Sequence, residues 1–453
     1  MSGSALKPEG LVTHVTYLSS GRPNGSELLR SISSQVGAGY ILLVYAPVEL
    51  GMFALERMLE VAEDTSAGMV YADGHEDIGG RQRPHPLTDY RKGSLRDDFD
   101  FGPVLLFNAE AFREAVAGMT SDYNFAGLYD LRLSVSRWRP VVHISEYLYV
   151  RRETGNGAST GTQFDYVDPQ NRAVQIEMEQ VCTEHLRCIG GFLPPRVKAP
   201  DFGEEAFPVE ASVIIPVRNR IRTIADAVRS ALMQETDFPF NIILVDNHSE
   251  DGTTEAVRTL SREDERLIHI LPDRKDMGIG GCWNVGLHHP ACGRFAIQLD
   301  SDDVYSDRHS IRKIVEAFYR QQCAMVIGSY RLTDFDMQTL PPGVIDHREW
   351  TAENGHNNAL RINGLGAPRA FYTPLLRRIK LPNTSYGEDY AAGLRISREY
   401  KIGRIYDVLY LCRRWEGNSD ASPDIVKKDL YDAYKDNLRT WELEARIKMN
   451  TSV

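Results

Sequence analysis

The sequence predicts an α/β protein of two domains, and three observations carry that expectation. From Ala211 onward, short runs rich in β-branched and apolar residues alternate with segments of helical periodicity. That alternation is the pattern of a parallel sheet covered by helices on both faces. A Pro-rich connector, from Pro194-Pro195 through Pro200 to Pro208, stands before the first of these runs. The N-terminal half also looks like a repeat of part of the C-terminal half: residues 39–63 lie on residues 293–317 without gaps. At 453 residues the chain exceeds what one ordinary core organises.

The elements follow in order. Residues 167–191 read as a helix, with Val174, Ile176, Met178, Val181 and Leu186 as its apolar positions and Gly190-Gly191 as its end. After the connector, Ala211–Pro216 reads as a buried strand. Then come helix 221–234, strand Ile242–Val245, helix Thr253–Leu260 and strand Leu267–Leu271. A glycine-rich turn at 278–281 leads into helix Cys282–His288, strand Phe295–Leu299 and helix 309–322. A last helix is opened by Ser422-Pro423-Asp424, a cap residue followed by Pro at the first helical position. Its Leu430, Tyr431, Tyr434, Leu438 and Trp441 fall at helical spacing, as a core or domain-interface stripe does. The expected divisions are a truncated domain at 1–165, a helical and Pro-rich linker at 166–207, a catalytic domain at 208–421 and the final helix at 422–453.

A net charge of -11 argues against general binding to nucleic acid or anionic membrane, both of which need a basic surface. No stretch approaches the ~20 apolar residues that span a bilayer, and MSGSALKPEGLVTH lacks the basic start and apolar core of a signal peptide. The six cysteines form no CxxC pair and read as reduced structural thiols. The expectation is a cytoplasmic protein without an integral membrane segment, with peripheral docking at a membrane left open.

The sharpest chemical signal is Gln298-Leu299-Asp300-Ser301-Asp302-Asp303, at the end of an apolar strand. Ligands of open α/β sheets gather beyond the carboxyl ends of strands. Short, acceptor-only carboxylates there suit a hard divalent cation shared with phosphate oxygens. Asp-rich turns also cap helices, so the cluster alone decides nothing. Three further segments accompany it: Ser212–Asn219 (SVIIPVRN), Leu244–Thr253 (LVDNHSEDGT) and Met277–Leu287 (MGIGGCWNVGL). In the second of these, Asp251 reads better as a helix cap than as a ligand.

These four segments, in this order and spacing, resemble the inverting family 2 glycosyltransferases of GT-A fold, over residues 210–420. Tyr386-Gly387-Glu388-Asp389-Tyr390 completes the resemblance. The resemblance implies a GT-A-type, Rossmann-like mixed sheet flanked by helices. It also implies transfer of a sugar, with inversion, from a UDP, dTDP or GDP sugar to a carbohydrate or glycolipid acceptor, in a setting such as surface-polysaccharide assembly. Pro216, Val217, Arg218, Asn219, Asp246, Asn247, Gly280, Trp283 and Asn284 would then hold the nucleotide sugar, with Asp300 and Ser301 toward the ribose. Asp302, supported by Asp303, would bind Mn2+ or Mg2+. Asp389 would be the base, with Glu388 second. Gly366 and Ala367 would line the acceptor side, while Arg413, Arg414 and Trp415 would close over the diphosphate.

Three departures stand out. Asp246 is followed by Asn247 where many relatives have a second Asp. Cys282-Trp283-Asn284 replaces Ala-Arg-Asn, and Trp415 stands where some relatives place a metal-binding His. On the internal alignment, Asp300, Asp302 and Asp303 match Ala46, Val48 and Glu49, while Glu388 and Asp389 match Phe125 and Ala126. The first copy is therefore expected to be catalytically dead, a pseudo-domain for acceptor docking or for dimerisation.

Rival readings fit less well. A dehydrogenase fingerprint needs a third glycine where Trp283 stands, and no GxxxxGK[ST] loop occurs. A nucleotidyltransferase would carry a glycine-rich basic loop after the first strand, where this chain has Arg218-Asn219-Arg220-Ile221-Arg222. A carbohydrate-binding or scaffolding relative without activity is the non-enzyme alternative.

Overall fold

The computed structural model of the chain describes residues 12–17, 25–37, 39–152, 171–203, 205–415, 418 and 425–452. They divide into two compact units. Unit 1 comprises residues 1–192, 360–362 and 423–453; unit 2 comprises 193–359 and 363–422.

In unit 1 the order is β1 (Val12–Tyr17), α1 (Ser26–Gln35), β2 (Tyr40–Val44), β3 (Val48–Leu50), α2 (Ala54–Thr65), β4 (Met69–Ile78), β5 (Arg81–His85), β6 (Val104–Asn108), α3 (Ala109–Ala117), α4 (Gly127–Val135), β7 (Val141–Arg152) and α5 (Arg172–Cys188). The strands form one mixed sheet, β1-β2-β6-β4-β7-β3, with β5 hairpinned on β4. β2 (YILLV) is buried along its whole length because apolar clusters cover both faces of the sheet.

Unit 2 runs β8 (Ala211–Val217), α6 (Ile224–Leu232), β9 (Phe240–Asp246), α7 (Thr253–Glu263), β10 (Leu267–Ile270), α8 (Ile279–His288), β11 (Phe295–Gln298), β12 (Val304–Tyr305), α9 (Ser310–Gln321), β13 (Met325–Thr333), β14 (Thr339–Ile345), α10 (Gly355–Asn358), β15 (Arg369–Tyr372), α11 (Thr373–Ile379), α12 (Glu388–Ser397) and β16 (Ile402–Arg413). Its sheet order is β10-β9-β8-β11-β15-β13-β16-β12, with β14 on β13. The first four strands are parallel, and β15 runs antiparallel to both β11 and β13. This is the expected mixed α/β sheet flanked by helices, with each predicted element of unit 2 present within a few residues. From β8 and from β1 onward the two sheets show the same strand order, and every corresponding pair runs in the same relative direction. Among the described residues, unit 1 has no counterpart of β9 and β10.

Two boundaries differ from expectation. The helix read as a linker, α5, belongs to unit 1, where it buries Val181, Cys182 and Leu186. So does the C-terminal helix α13 (Ile425–Thr451); its predicted opening at Ser422-Pro423-Asp424 lies outside the described residues. Its apolar stripe is buried only in part: Leu438 is buried, whereas Leu430 and Trp441 are 66% and 58% exposed. Beside Leu438 and Leu443, the buried face carries ion pairs. Asp436 pairs with Arg439 at 2.8 Å and accepts from Ser94 Oγ at 3.0 Å, Glu442 pairs with Arg446 at 2.8 Å, and Arg439 reaches the Ile362 carbonyl at 3.0 Å. Ion pairs of this geometry keep buried charges partnered, so apolar periodicity alone marked only part of the inner face.

Candidate functional site

Because β15 is antiparallel to β11, its first residue lies beside the last residue of β11, at the sheet edge where β8, β9 and β16 also end. The strand direction changes at this point, and it is here that open α/β sheets form a crevice. Asp300, Ser301, Asp302 and Asp303 follow β11; Glu388 and Asp389 open α12; Trp415 follows β16.

Asp300 is fixed from two sides. Its backbone N–H donates to Tyr410 Oη at 2.9 Å, and Gln298 Nε2 donates to both carboxylate oxygens at 2.9–3.0 Å. The Oε1 of the same Gln298 accepts from the Arg369 backbone N–H at 3.1 Å. Arg369 Nη1 in turn pairs with Asp389 Oδ2 at 2.7 Å and donates to the Gly366 carbonyl at 2.6 Å. Burial alone would make the Arg369 guanidinium less basic, but the charges of Asp389, Asp300 and Glu388 reverse that and raise it. Glu388 lacks such a partner: its Oε2 is buried without a hydrogen bond, and burial plus the neighbouring Asp389 charge push its carboxyl up to about 8.

Asp302 Oδ2 accepts from Trp415 Nε1 and Asn418 Nδ2, each at 3.2 Å, with Arg220 Nε 3.7 Å away. No described residue donates to its Oδ1. The Trp415 ring is stacked by the guanidinium groups of Arg222 and Arg220, at 5.1 and 5.8 Å from its centre. The Ser301 carbonyl accepts from Thr223 Oγ1 at 2.9 Å, which ties this turn to the start of α6.

Several expected ligands prove to be scaffold. Asp303 is buried and accepts from the Arg413 backbone N–H at 2.8 Å; burial, then the charges of Asp302 and Asp300, raise its carboxyl well above the usual range. Its Oδ1 is thus engaged in holding the last residue of β16. Arg413 is buried as well, donating to the Asp302 carbonyl at 2.6 Å and to Asp226 at 2.9 Å. It is a strut under the acidic turn, not a lid. Arg414 lies half-buried, its backbone N–H on the Thr333 carbonyl at 2.8 Å.

Asp246 faces inward. It accepts from the Ser249 N–H at 3.0 Å and Thr254 Oγ1 at 2.5 Å; burial opposes its ionisation, but His269, Thr254 and Ser249 hold its carboxyl well below the usual range. Trp283 packs edge-on against Phe371 in the core. Asn284 clamps the backbone of Leu381, donating to its carbonyl at 2.8 Å and accepting from its N–H at 3.0 Å. Gly280 is needed for packing: a Cβ there would lie 1.9 Å from the Pro382 carbonyl oxygen and 3.0 Å from Glu388 Cβ. Gly278 and Gly281 meet Thr384 and Asn383 in the same way. The glycine turn thus seats the loop that delivers Glu388 and Asp389.

The remaining positions stay at the crevice. Pro216 is half-buried, Val217 buried and Arg218 exposed. Asn219, with φ of 53°, accepts from the Glu250 N–H at 2.8 Å and joins the loops after β8 and β9. Asn247 donates to the Met277 carbonyl at 2.7 Å and leaves Oδ1 buried and unpaired. Gly366, with φ of 88°, and the half-buried Ala367 precede Arg369. Asp251 stands one residue before Gly252, the N-cap of α7, and accepts from the N–H groups of Thr253 and Ile221, each at 3.0 Å. Sequence reading missed Arg369 and Gln298 as members of the site. Their one signal was position, at either end of motifs already singled out.

No three His, Cys, Asp or Glu side chains among the described residues converge as a metal set. A cation would fit only with Asp302 and oxygens brought by a ligand.

Residues 212–381 match the family model for Glycosyl transferase family 2. This segment is a family 2 glycosyltransferase domain. The chain is 33% identical over 121 residues to the putative teichuronic acid biosynthesis glycosyltransferase TuaG of Bacillus subtilis, over 27% of this chain and 46% of that one. It spans less than half the length of five curated relatives that it matches. Among solved structures, S. aureus TarS 1–349 in complex with UDP-GlcNAc is similar at 22% identity and a TM-score of 0.40, over 52% of this chain and 72% of that one. The mannosyltransferase PcManGT of Pyrobaculum calidifontis, in complex with GDP-Man and Mn2+, is similar at 16% identity and a TM-score of 0.37, over 64% and 87%. Among the described residues, no helix of the chain carrying the family 2 domain is long and apolar enough to cross a membrane.

Proposed function

We propose that the family 2 domain, of GT-A type, transfers a hexose-type sugar from a nucleotide-sugar donor to an acceptor hydroxyl with inversion, assisted by a divalent cation. One observation carries this reading: Asp300 and Asp302, from the turn after β11, and Asp389, from the start of α12, come together at the sheet crevice, Asp300 and Asp389 joined through Gln298 and Arg369 and Asp302 held by Trp415. Asp389, a quarter exposed and ion-paired, is suited to accept the proton of the acceptor hydroxyl as its oxygen attacks the anomeric carbon. Glu388, pushed up to about 8, holds its own proton at neutral pH and is the poorer base. Asp302 would hold Mn2+ or Mg2+ through Oδ1, and Asp300 would face the ribose. When bound, the cation would neutralise charge on the departing diphosphate. The unpaired Asn247 Oδ1 offers an acceptor for a base N–H, in place of Asp246.

On the internal alignment unit 1 has Ala46, Val48 and Ala126 in place of Asp300, Asp302 and Asp389, and its described residues hold no counterpart of β9 and β10. The Glu177 carboxylate of α5 moreover accepts three N–H groups, from Asn124, Phe125 and Ala126, where an active copy would hold its base. We read unit 1 as a degenerate duplicate that serves acceptor docking or dimerisation, with peripheral placement at a membrane compatible with a glycolipid acceptor.

Thermal stabilisation by UDP, GDP and dTDP, with and without Mn2+, tests the donor site on wild type and Asp302→Ala. The expected result is a metal-dependent shift for one nucleotide, about 2.7 kcal/mol at a hundredfold excess over Kd, that Asp302→Ala loses. No shift with any nucleotide would favour a carbohydrate-binding protein without activity.

A further inference from the structure

We infer that Arg369, carried by Gln298, is the positioning residue that ties the base to the donor acids; the inference rests on the transferase reading. The contacts form one unbroken chain. Asp300 is held at both oxygens by Gln298 Nε2, Gln298 Oε1 is held by the Arg369 N–H, and the Arg369 guanidinium is held by Asp389 and the Gly366 carbonyl. Donor side and acceptor side thus share one link, with the positive charge of Arg369 fixed between Asp300 and Asp389. Both side-chain contacts leave from the one Nη1, so a Lys ammonium brought to that point could restore part of the link but not the guanidinium's fixed plane.

The first half of the chain separates this role from a role in folding. There Leu43 pairs with Leu105 and Val44 with Val104; here Ile297 pairs with Ala370. On the internal alignment of residues 39–63 with 293–317, Gln298 therefore corresponds to Val44 and Arg369 to Val104. Asp300 corresponds to Ala46 and Asp389 to Ala126. The strand order and directions persist with four small or apolar residues in place of the whole chain of contacts. The sheet does not need Gln298 or Arg369, and both are polar only where the acids are present. A half-buried guanidinium held among acids is costly to keep for stability alone.

The consequence for catalysis is geometric. A base displaced by about 1 Å loses roughly a hundredfold in rate. The test measures donor turnover, as transfer or as hydrolysis of the nucleotide sugar, together with nucleotide-induced thermal shift, for wild type, Arg369→Met, Arg369→Lys and Gln298→Leu. Arg369→Met is expected to lower kcat about a hundredfold while donor KM and the nucleotide shift stay within threefold. Arg369→Lys should recover part of that loss, and Gln298→Leu should fall between Lys and Met. A kcat for Arg369→Met within threefold of wild type overturns the assignment. So does a parallel fall of kcat, nucleotide shift and melting temperature in both Arg369 variants, which would mark a purely structural role. A wild type that neither binds a nucleotide nor turns over a donor overturns the transferase reading itself, and this assignment with it.

Discussion

Replacing Glu388 by Gln should stabilise the protein at high pH and leave it nearly unchanged at low pH. The carboxyl is 9% exposed, its Oε2 has no partner, and burial with the Asp389 charge moves it from an ordinary 4.5 to about 8. The folded chain therefore keeps this proton over a range in which the unfolded chain has released it. Stability from the bound proton is fully present below about 4.5 and is lost as pH rises through about 8. At about 1.36 kcal/mol for each pH unit of that window, the loss is on the order of 3–5 kcal/mol. Gln mimics the protonated acid at every pH, so Glu388→Gln escapes the loss. For a unit of this size that is on the order of 10 °C in melting temperature. Melting curves of both proteins at pH 5 and pH 8.5 read the effect: the difference should be small at pH 5 and large, in favour of Gln, at pH 8.5. An equal difference at both values, or one that shrinks with pH, would refute the argument.

Two further outcomes follow from the scaffold. Gly280→Ala should lower the melting temperature, because overpacking costs about 1–3 kcal/mol and outweighs the ~1 kcal/mol by which Ala favours a helix interior. It should also lower kcat, since its Cβ would press on the Pro382 carbonyl and on Glu388; an unchanged melting temperature would contradict the packing argument. Asp246→Asn should destabilise by roughly 1–3 kcal/mol, because an amide cannot accept at both positions now served by Ser249 and Thr254, while nucleotide preference in the thermal-shift assay stays as in wild type. A changed preference at unchanged stability would mean that Asp246 reads the base directly.

What the sequence revealed and what it hid divide along sequence separation. β8, β9 and β11 are unbroken apolar runs with turns between them, and the acids of Asp300–Asp303 and Glu388-Asp389 are adjacent in the chain, so local reading finds them. The link from Gln298 to Arg369 spans 71 residues and depends on β15 running antiparallel, which no local pattern encodes. The glycines at 278–281 advertise a turn, yet their reason is a loop about a hundred residues later. Trp283 and Asn284 follow the same pattern: a motif position suggested a ligand, whereas Phe371 and Leu381 are the partners. In α13 the shortfall was of another kind, because a helix that buries paired Asp436 and Arg439 alongside Leu438 and Leu443 within unit 1 has an inner face that apolar residues mark only in part.

The two sheets together sharpen what the acids of unit 2 are for. A helix start needs acceptors for its free N–H groups, and in unit 1 Glu177 supplies them ahead of α4 from α5. At the start of α12 the capping position is Gly387, which offers no side chain, and the acids of the first turn are Glu388 and Asp389. Asp389 is turned to Arg369, while Glu388 Oε2 has no hydrogen-bond partner. Helix stability alone would favour the arrangement of unit 1, where one carboxylate satisfies three donors. Unit 2 instead carries a raised carboxyl, a half-buried guanidinium held among acids and an acidic turn propped from below by Arg413. Each of these costs folding free energy, and together they face one crevice, which is the distribution of strain that a binding and catalytic edge requires and a purely structural sheet does not.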